Sequence, residues 1–135
     1  MDAPVGLVKS VLPSIVHIHT VVPSEHPSVR LLGEERLGSG CVVDRDGLIL
    51  TVNYVVMGGE EILVTLQGGR EIPAEIVAQD FEIGVALLRV KGTRLRPFPN
   101  GTFATLTRGA PVFEIGRAPR LNSSQIQKSR MPSSA

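Results

Sequence analysis

His17 and His19 stand two residues apart in a β-branched run, Ile15 to Val22. A strand there turns both imidazoles to one face and Val16 and Ile18 to the other. Two histidines at that spacing can share a metal ion. No third ligand is apparent beside them, and His26 falls in a loop, so the expectation is a pair of exposed strand histidines without metal. Cys41 is the one cysteine, which excludes an internal disulfide framework and a cysteine-cluster zinc site. It lies in an apolar strand with no basic neighbour, so an inert, buried thiol is expected. Ser123 and Ser124 follow an asparagine but have no nearby glycine, and their context is that of a polar tail. Gly68-Gly69 reads as a turn rather than a phosphate cradle. No cofactor is expected from these residues.

The elements that must position these groups read as short strands. Valine and isoleucine number 26 and fall in runs separated by Gly, Pro, Asp and Asn. Residues 5–12 have room for one or two helical turns before Pro13. Ile15 to Val22 is a first strand, and residues 23–37, with two prolines, three glutamates and Gly33, read as an exposed loop. Gly40 to Asp44 and Leu48 to Val52 pair across an Asp46-Gly47 turn of the hairpin kind. Ile62 to Leu66 and Glu71 to Val77 pair across Gly68-Gly69. In the latter, Ile72, Ala74 and Ile76 share one face while Glu71, Pro73, Glu75 and Val77 share a wet one. Val85 to Val90 is apolar on both faces, which predicts a central strand. Pro111 to Ile115 is a last short one. Six or seven such strands at even spacing predict an antiparallel barrel or sandwich. Residues 117–135 are rich in Ser, Arg, Lys, Gln and Pro and predict a disordered tail.

At 135 residues and 42% hydrophobic content the chain can build a core and is too apolar to be disordered. No apolar run reaches the roughly 18 residues a membrane span needs. With no Trp and one Tyr, an aromatic platform for nucleic acid is not expected. The net charge of +1 hides an asymmetry. Residues 1–88 hold five Lys/Arg against twelve Asp/Glu, whereas residues 89–135 hold nine against Glu114 alone. Such a basic part can bind acidic partners. Its bases are dispersed, however, so attraction between two parts of one fold is the plainer reading. Residues 1–24 lack the positive start and apolar stretch of a secretory leader, and the compartment is left open.

Three segments carry a resemblance. Leu37-Gly38-Ser39-Gly40-Cys41-Val42-Val43-Asp44 runs into Asp46-Gly47-Leu48-Ile49-Leu50-Thr51, then Val52-Asn53-Tyr54-Val55-Val56. Gly69-Arg70-Glu71, Ala74-Glu75-Ile76-Val77 and Asp80 precede Val85-Ala86-Leu87-Leu88. In this order and spacing they resemble the first barrel of the HtrA/Deg-type serine proteases, a trypsin-like family, over roughly residues 11–118. The resemblance implies an all-β fold: the N-terminal antiparallel β-barrel of a two-barrel trypsin/chymotrypsin-like architecture over residues 11–116, followed by the polar tail, 117–135. It makes Ile15–Val22 the opening strand and Gly109 to Gly116 the strand that enters the second barrel.

It also implies a chemistry and locates its loss. Such enzymes attack a peptide bond with a serine activated by a histidine that an aspartate orients, while an oxyanion hole holds the developing charge. The resemblance places the base at Tyr54 and the orienting acid at Gly84. A tyrosine, with its pKa of about 10, is protonated at neutral pH and is no poised base. Gly84 has no side chain with which to orient anything. No Gly-Asn-Ser-Gly-Gly segment supplies the nucleophile, and the hole that the family builds around that loop goes with it. Asp80 and Glu82, four and two residues before Gly84, reach the site only through a slipped strand. Asp80 already matches a separate acid that the family often has. The Tyr54 phenol is expected to fill the imidazole's space at the barrel surface.

Three functions follow as expectations. The first is a truncated, catalytically degenerate HtrA-like pseudoprotease or binding module. It would have a protein or peptide partner, or associate with itself through the face that meets a second barrel. The second is a fragment of a serine endopeptidase. The third is a binder of acidic partners through the basic carboxy-terminal part. Relatives of the family are often extracytoplasmic.

Overall fold

A computed structural model describes residues 5–101, 104 and 106–118. The chain opens with helix α1 (Val5–Val11) and one 3-10 turn (Leu12–Ser14), which Pro13 suits because its ring fixes φ and needs no amide donor. Six strands follow: β1 (Ile15–Val21), β2 (Glu35–Val42), β3 (Leu48–Val52), β4 (Glu61–Thr65), β5 (Glu71–Asp80) and β6 (Val85–Val90). Helix α2 (Val29–Leu32) lies between β1 and β2, and α3 (Asn53–Val56) between β3 and β4.

The strands close into an antiparallel barrel in the order β1-β2-β3-β6-β5-β4. Closure leaves no unpaired edge to recruit other chains. The expected barrel is therefore present, with six strands. Alternation fills its interior: Val16 and Ile18 from β1, Val42 from β2, Ile49 from β3, Val64 from β4, and Leu88 and Val90 from β6 are all fully buried. Val55 and Val56 of α3 plug one end of the same core. Gly38 and Gly40 are inward positions of β2 and make room for these groups. A Cβ on Gly38 would lie 2.6 Å from Val55 Cγ2, and one on Gly40 would lie 2.7 Å from Ile49 Cγ2.

Several sequence expectations need correction. β2 begins at Glu35 rather than Gly40, because residues 35–39 pair with the whole second half of β1. The loop over residues 23–37 contains α2, where the backbone turns Ser28 to Leu32 through two helical bonds and Gly33 ends it with a left-handed φ of 80°. β6 does not bury both faces; its burial alternates, since a barrel has one inside. Pro111 to Ile115 forms no strand, and Val112 is 82% exposed, because no partner strand lies beside it. β5 runs three residues further than expected, past an irregularity between Ile76 and Ala78. The Asp46-Gly47 turn is present, held by Asp44 Oδ1, which accepts from the amides of Asp46 (2.9 Å) and Leu48 (3.0 Å). Among the described residues no helix is long and apolar enough to cross a membrane.

Candidate functional site

The site lies where α3 meets the turn between β5 and β6. Asn53, the first residue of α3, is buried and bonded on two sides. Its amide donates to the Gly84 carbonyl at 2.7 Å, and its Oδ1 accepts from Gln79 Nε2 at 2.8 Å. Positions 54 and 84 are thus drawn together by backbone, whatever side chains they carry.

The far end of α3 is held by Arg36, only 4% exposed although it carries a charge. Its Nη1 donates to the carbonyls of Tyr54 (2.9 Å) and Met57 (2.7 Å), and its Nη2 donates to Ser28 Oγ. These are carbonyls that a one-turn helix leaves without partners of its own. Ser28 Oγ also lies 2.6 Å from His26 Nδ1. The arginine therefore ties the β1–β2 loop to the helix that carries position 54. Sequence reasoning passed over Arg36, since nothing in a lone arginine marks it as buried. Its cross-strand pairing with the inward Thr20 is visible only once the register is known.

Between these two anchors Tyr54 turns its ring outward and is 53% exposed. Among the described residues its hydroxyl makes no hydrogen bond, as expected for a phenol lying at the barrel surface. Gly84 has a left-handed φ of 76°, and a Cβ built on it would meet nothing within 4 Å. The neighbouring acids are engaged in the turn or exposed. Asp80 Oδ1 accepts from the amides of Glu82 (2.9 Å) and Ile83 (3.1 Å), and the Asp80 carbonyl accepts from Gly84 (2.9 Å). That carboxylate is spent on shaping the turn, and Glu82 is exposed.

Around this junction stand apolar side chains that sequence reasoning did not single out: Val52, Phe81 and Ile83, 47%, 68% and 72% exposed. For Phe81 and Ile83 the signal was available as two large apolar residues alternating with acids in a short turn.

The remaining candidates fall elsewhere. His17 and His19 share a face of β1 but take different partners. His17 Nδ1 lies 3.2 Å from the Arg117 carbonyl, and His19 Nε2 lies 3.2 Å from Glu35 Oε1. The expectation of two exposed histidines fails for His17, which is buried because the chain around Arg117 crosses over it. Among the described residues no group of three or more His, Cys, Asp or Glu side chains gathers to hold a metal. Cys41 is half-buried, and burial pushes its thiol pKa up. Ser123 and Ser124 lie outside the described residues.

A closed six-strand antiparallel barrel with a short helix between its third and fourth strands defines a trypsin-like domain. Residues 38–133 match the trypsin-like peptidase domain family. The chain is 41% identical over 92 residues to the "Probable periplasmic serine endoprotease DegP-like" of Halomonas elongata, covering 67% of this chain and 19% of that protein. It is 39% identical over 82 residues to the protein of the same description from Pseudomonas savastanoi, covering 61% and 17%. Among solved structures, "HtrA-type protease AlgW with tripeptide" superposes with a TM-score of 0.68 at 26% identity, covering 80% of this chain and 33% of that one. A second AlgW structure, also with tripeptide, gives 0.65 at 27% identity. The chain belongs to the HtrA/Deg-type trypsin-like peptidase family. It spans about a fifth of the length of these curated relatives.

Proposed function

We propose that this chain is a catalytically degenerate HtrA-like barrel that binds protein or peptide rather than cleaving it. The observation that carries the proposal is the junction of positions 54 and 84. The family's base falls on an outward phenol and its acid on a glycine, while the nearest carboxylate is committed to its own turn. A phenol and a glycine do not supply the base and the orienting carboxylate of that chemistry. No Gly-Asn-Ser-Gly-Gly segment stands within the 135 residues. The apolar groups around the junction, with Tyr54 among them, are the proposed contact surface for a protein, a peptide or a second copy of the barrel. The tripeptide of the AlgW structures belongs to those proteins, and lends the peptide reading support by kinship alone.

A second reading is a fragment of a serine-type endopeptidase, favoured by the small share of its relatives that the chain spans. The reading of a binder of acidic partners is weakened by where its bases go. Arg89 donates to the Asp46 carbonyl, Lys91 pairs with Glu75 at 3.9 Å, and Arg117 binds backbone carbonyls.

The test is casein hydrolysis by the purified chain, joined to the intact mass of the protein from its natural source. No hydrolysis above buffer and a mass near 14.5 kDa agree with the proposal. Turnover that survives repurification refutes it. A larger mass whose added chain carries a Gly-x-Ser-Gly-Gly segment moves the reading to the fragment. Sedimentation of a compact monomer at all concentrations removes self-association from the proposal.

A further inference from the structure

Away from the residues of that junction, residues 115–117 cross the outer face of β1 and β2, and Arg117 fastens them there. Its amide donates to Ser39 Oγ at 3.0 Å. Its Nε donates to the Ile15 carbonyl at 2.7 Å, and its Nη2 to the Leu12 carbonyl at 2.6 Å. The guanidinium thus binds the first residue of the 3-10 turn and the first residue of β1, tying residue 117 to the N-terminal part of the described chain. Gly116 permits the close approach: a Cβ there would lie 2.9 Å from Ser39 Oγ.

His17 lies under this crossing, 5% exposed. The Arg117 carbonyl can only accept, so Nδ1 carries the proton in the docked state. Adding a second proton makes a cation under the crossing, covered by the segment that carries the Arg117 guanidinium. The groups facing it can be named by element. On β1 there is His19, itself paired with Glu35. On β2 there are the neutral Ser39 and the Gly38 backbone, and on β4 the neutral Thr65. On the crossing segment there is Arg117, while Lys9 of α1 and Glu114, just before the crossing, are exposed to solvent. Among the described residues no carboxylate pairs with His17.

We propose that residues 115–117 form a pH-gated latch, docked on β1 and β2 while His17 is neutral and released when it is protonated. The linkage has a definite sign. Burial lowers the pKa of docked His17 from 6.5 and outweighs the bonds to the Arg117 and Gly38 backbone, which raise it. The undocked chain therefore takes up the proton first as pH falls. Docking is fully favoured above the free-histidine value of 6.5, weakens as pH drops through it, and levels off below the docked value.

Hydrogen exchange of the full chain, corrected for intrinsic rates and measured at about pH 7.5 and pH 5.5 to bracket histidine titration, reads the Arg117 amide. The wild type is expected to lose protection several-fold at the lower pH. His17→Asn keeps a donor near the Nδ1 position and cannot titrate, so its protection should match at both pH values. Ser39→Ala should weaken protection at both values and keep their ratio, as should His19→Asn without the weakening. Flat wild-type protection overturns the latch. So does an equal loss in His17→Asn, or a ratio abolished by His19→Asn. An independent reading is the NMR titration of His17: Arg117→Ala should move its midpoint upward, because the same coupling acts in both directions. An unmoved midpoint also overturns the proposal.

Discussion

Replacing Gly84 separates backbone strain from crowding at the position where the family holds its acid. The residue has a φ of 76°, and an added Cβ meets no atom within 4 Å. Its two backbone bonds, to the Asp80 carbonyl at 2.9 Å and from the Asn53 amide at 2.7 Å, survive any substitution that keeps the conformation. Steric overlap therefore contributes nothing, and the cost of Gly84→Ala is the left-handed conformation alone, about 1–2 kcal/mol. For a domain of this size that is a fall in Tm on the order of 3–10 °C. Asn and Asp tolerate the left-handed region better, because their short side chains bond locally. β-branched residues tolerate it least. The expected order of stability is Gly, then Asn and Asp, then Ala, then Val, measured by thermal and urea unfolding followed by circular dichroism. A neutral Gly84→Ala, or a Val no worse than Ala, would show that the backbone is not left-handed there. An alanine variant that fails to fold would show crowding where open space is described. The expected order also means that a carboxylate is sterically admissible at position 84.

Returning both side chains, as Tyr54→His with Gly84→Asp, is expected to leave casein hydrolysis at buffer level, since a base without a nucleophile has nothing to activate; measurable turnover by that variant would contradict this. Arg36→Met removes donors from the Tyr54 and Met57 carbonyls and from Ser28 Oγ, and should cost about 2–4 kcal/mol in urea unfolding. Arg36→Lys, which lacks the planar fork, should recover part of that and not all of it; equality of Lys with Arg would show that charge alone matters. Cys41, whose thiol pKa is raised by burial, should react with a thiol reagent several-fold more slowly in the folded chain than in urea, with a higher pH midpoint. Equal rates would place the sulfur at the surface.

The fold was legible wherever alternation met a turn residue. Ile72, Ala74 and Ile76 against Glu71, Pro73 and Glu75 gave the facing of β5, and Asp46-Gly47 gave the β2–β3 turn. Legibility failed where pairing rather than local pattern decides the structure. Residues 35–37 read as the end of a loop marked by prolines, glutamates and Gly33, yet residues 35–39 pair along β1, and Arg36 enters the interior because the register sets it opposite Thr20. Pro111 to Ile115 has the composition of a strand and no neighbour to pair with. His17 had the pattern of an outward residue, and it is one. Its burial comes from a segment about a hundred residues away, which periodicity cannot report. At the site, the ordered motif pointed to positions 54 and 84, which the structure places near each other, whereas the Asn53 and Arg36 bonds around them emerged only from three-dimensional neighbours.

Those bonds place the junction without help from the side chains at positions 54 and 84. α3 is placed by the Asn53 amide and side chain on one side and by Arg36 on two carbonyls on the other. The turn leading into β6 is placed by the Asp80 carboxylate and the Gly84 backbone. None of these contacts uses the side chain of residue 54 or needs one at residue 84. The core that closes beneath them, from Val55 and Val56 to Leu88, is equally indifferent to both. The junction's stability is thus carried by atoms other than the side chains at positions 54 and 84, which leaves an outward phenol beside Val52, Phe81 and Ile83 at the surface. On the proposed function such a scaffold can lack the reaction and keep a binding face, and the casein and sedimentation measurements address those two properties separately.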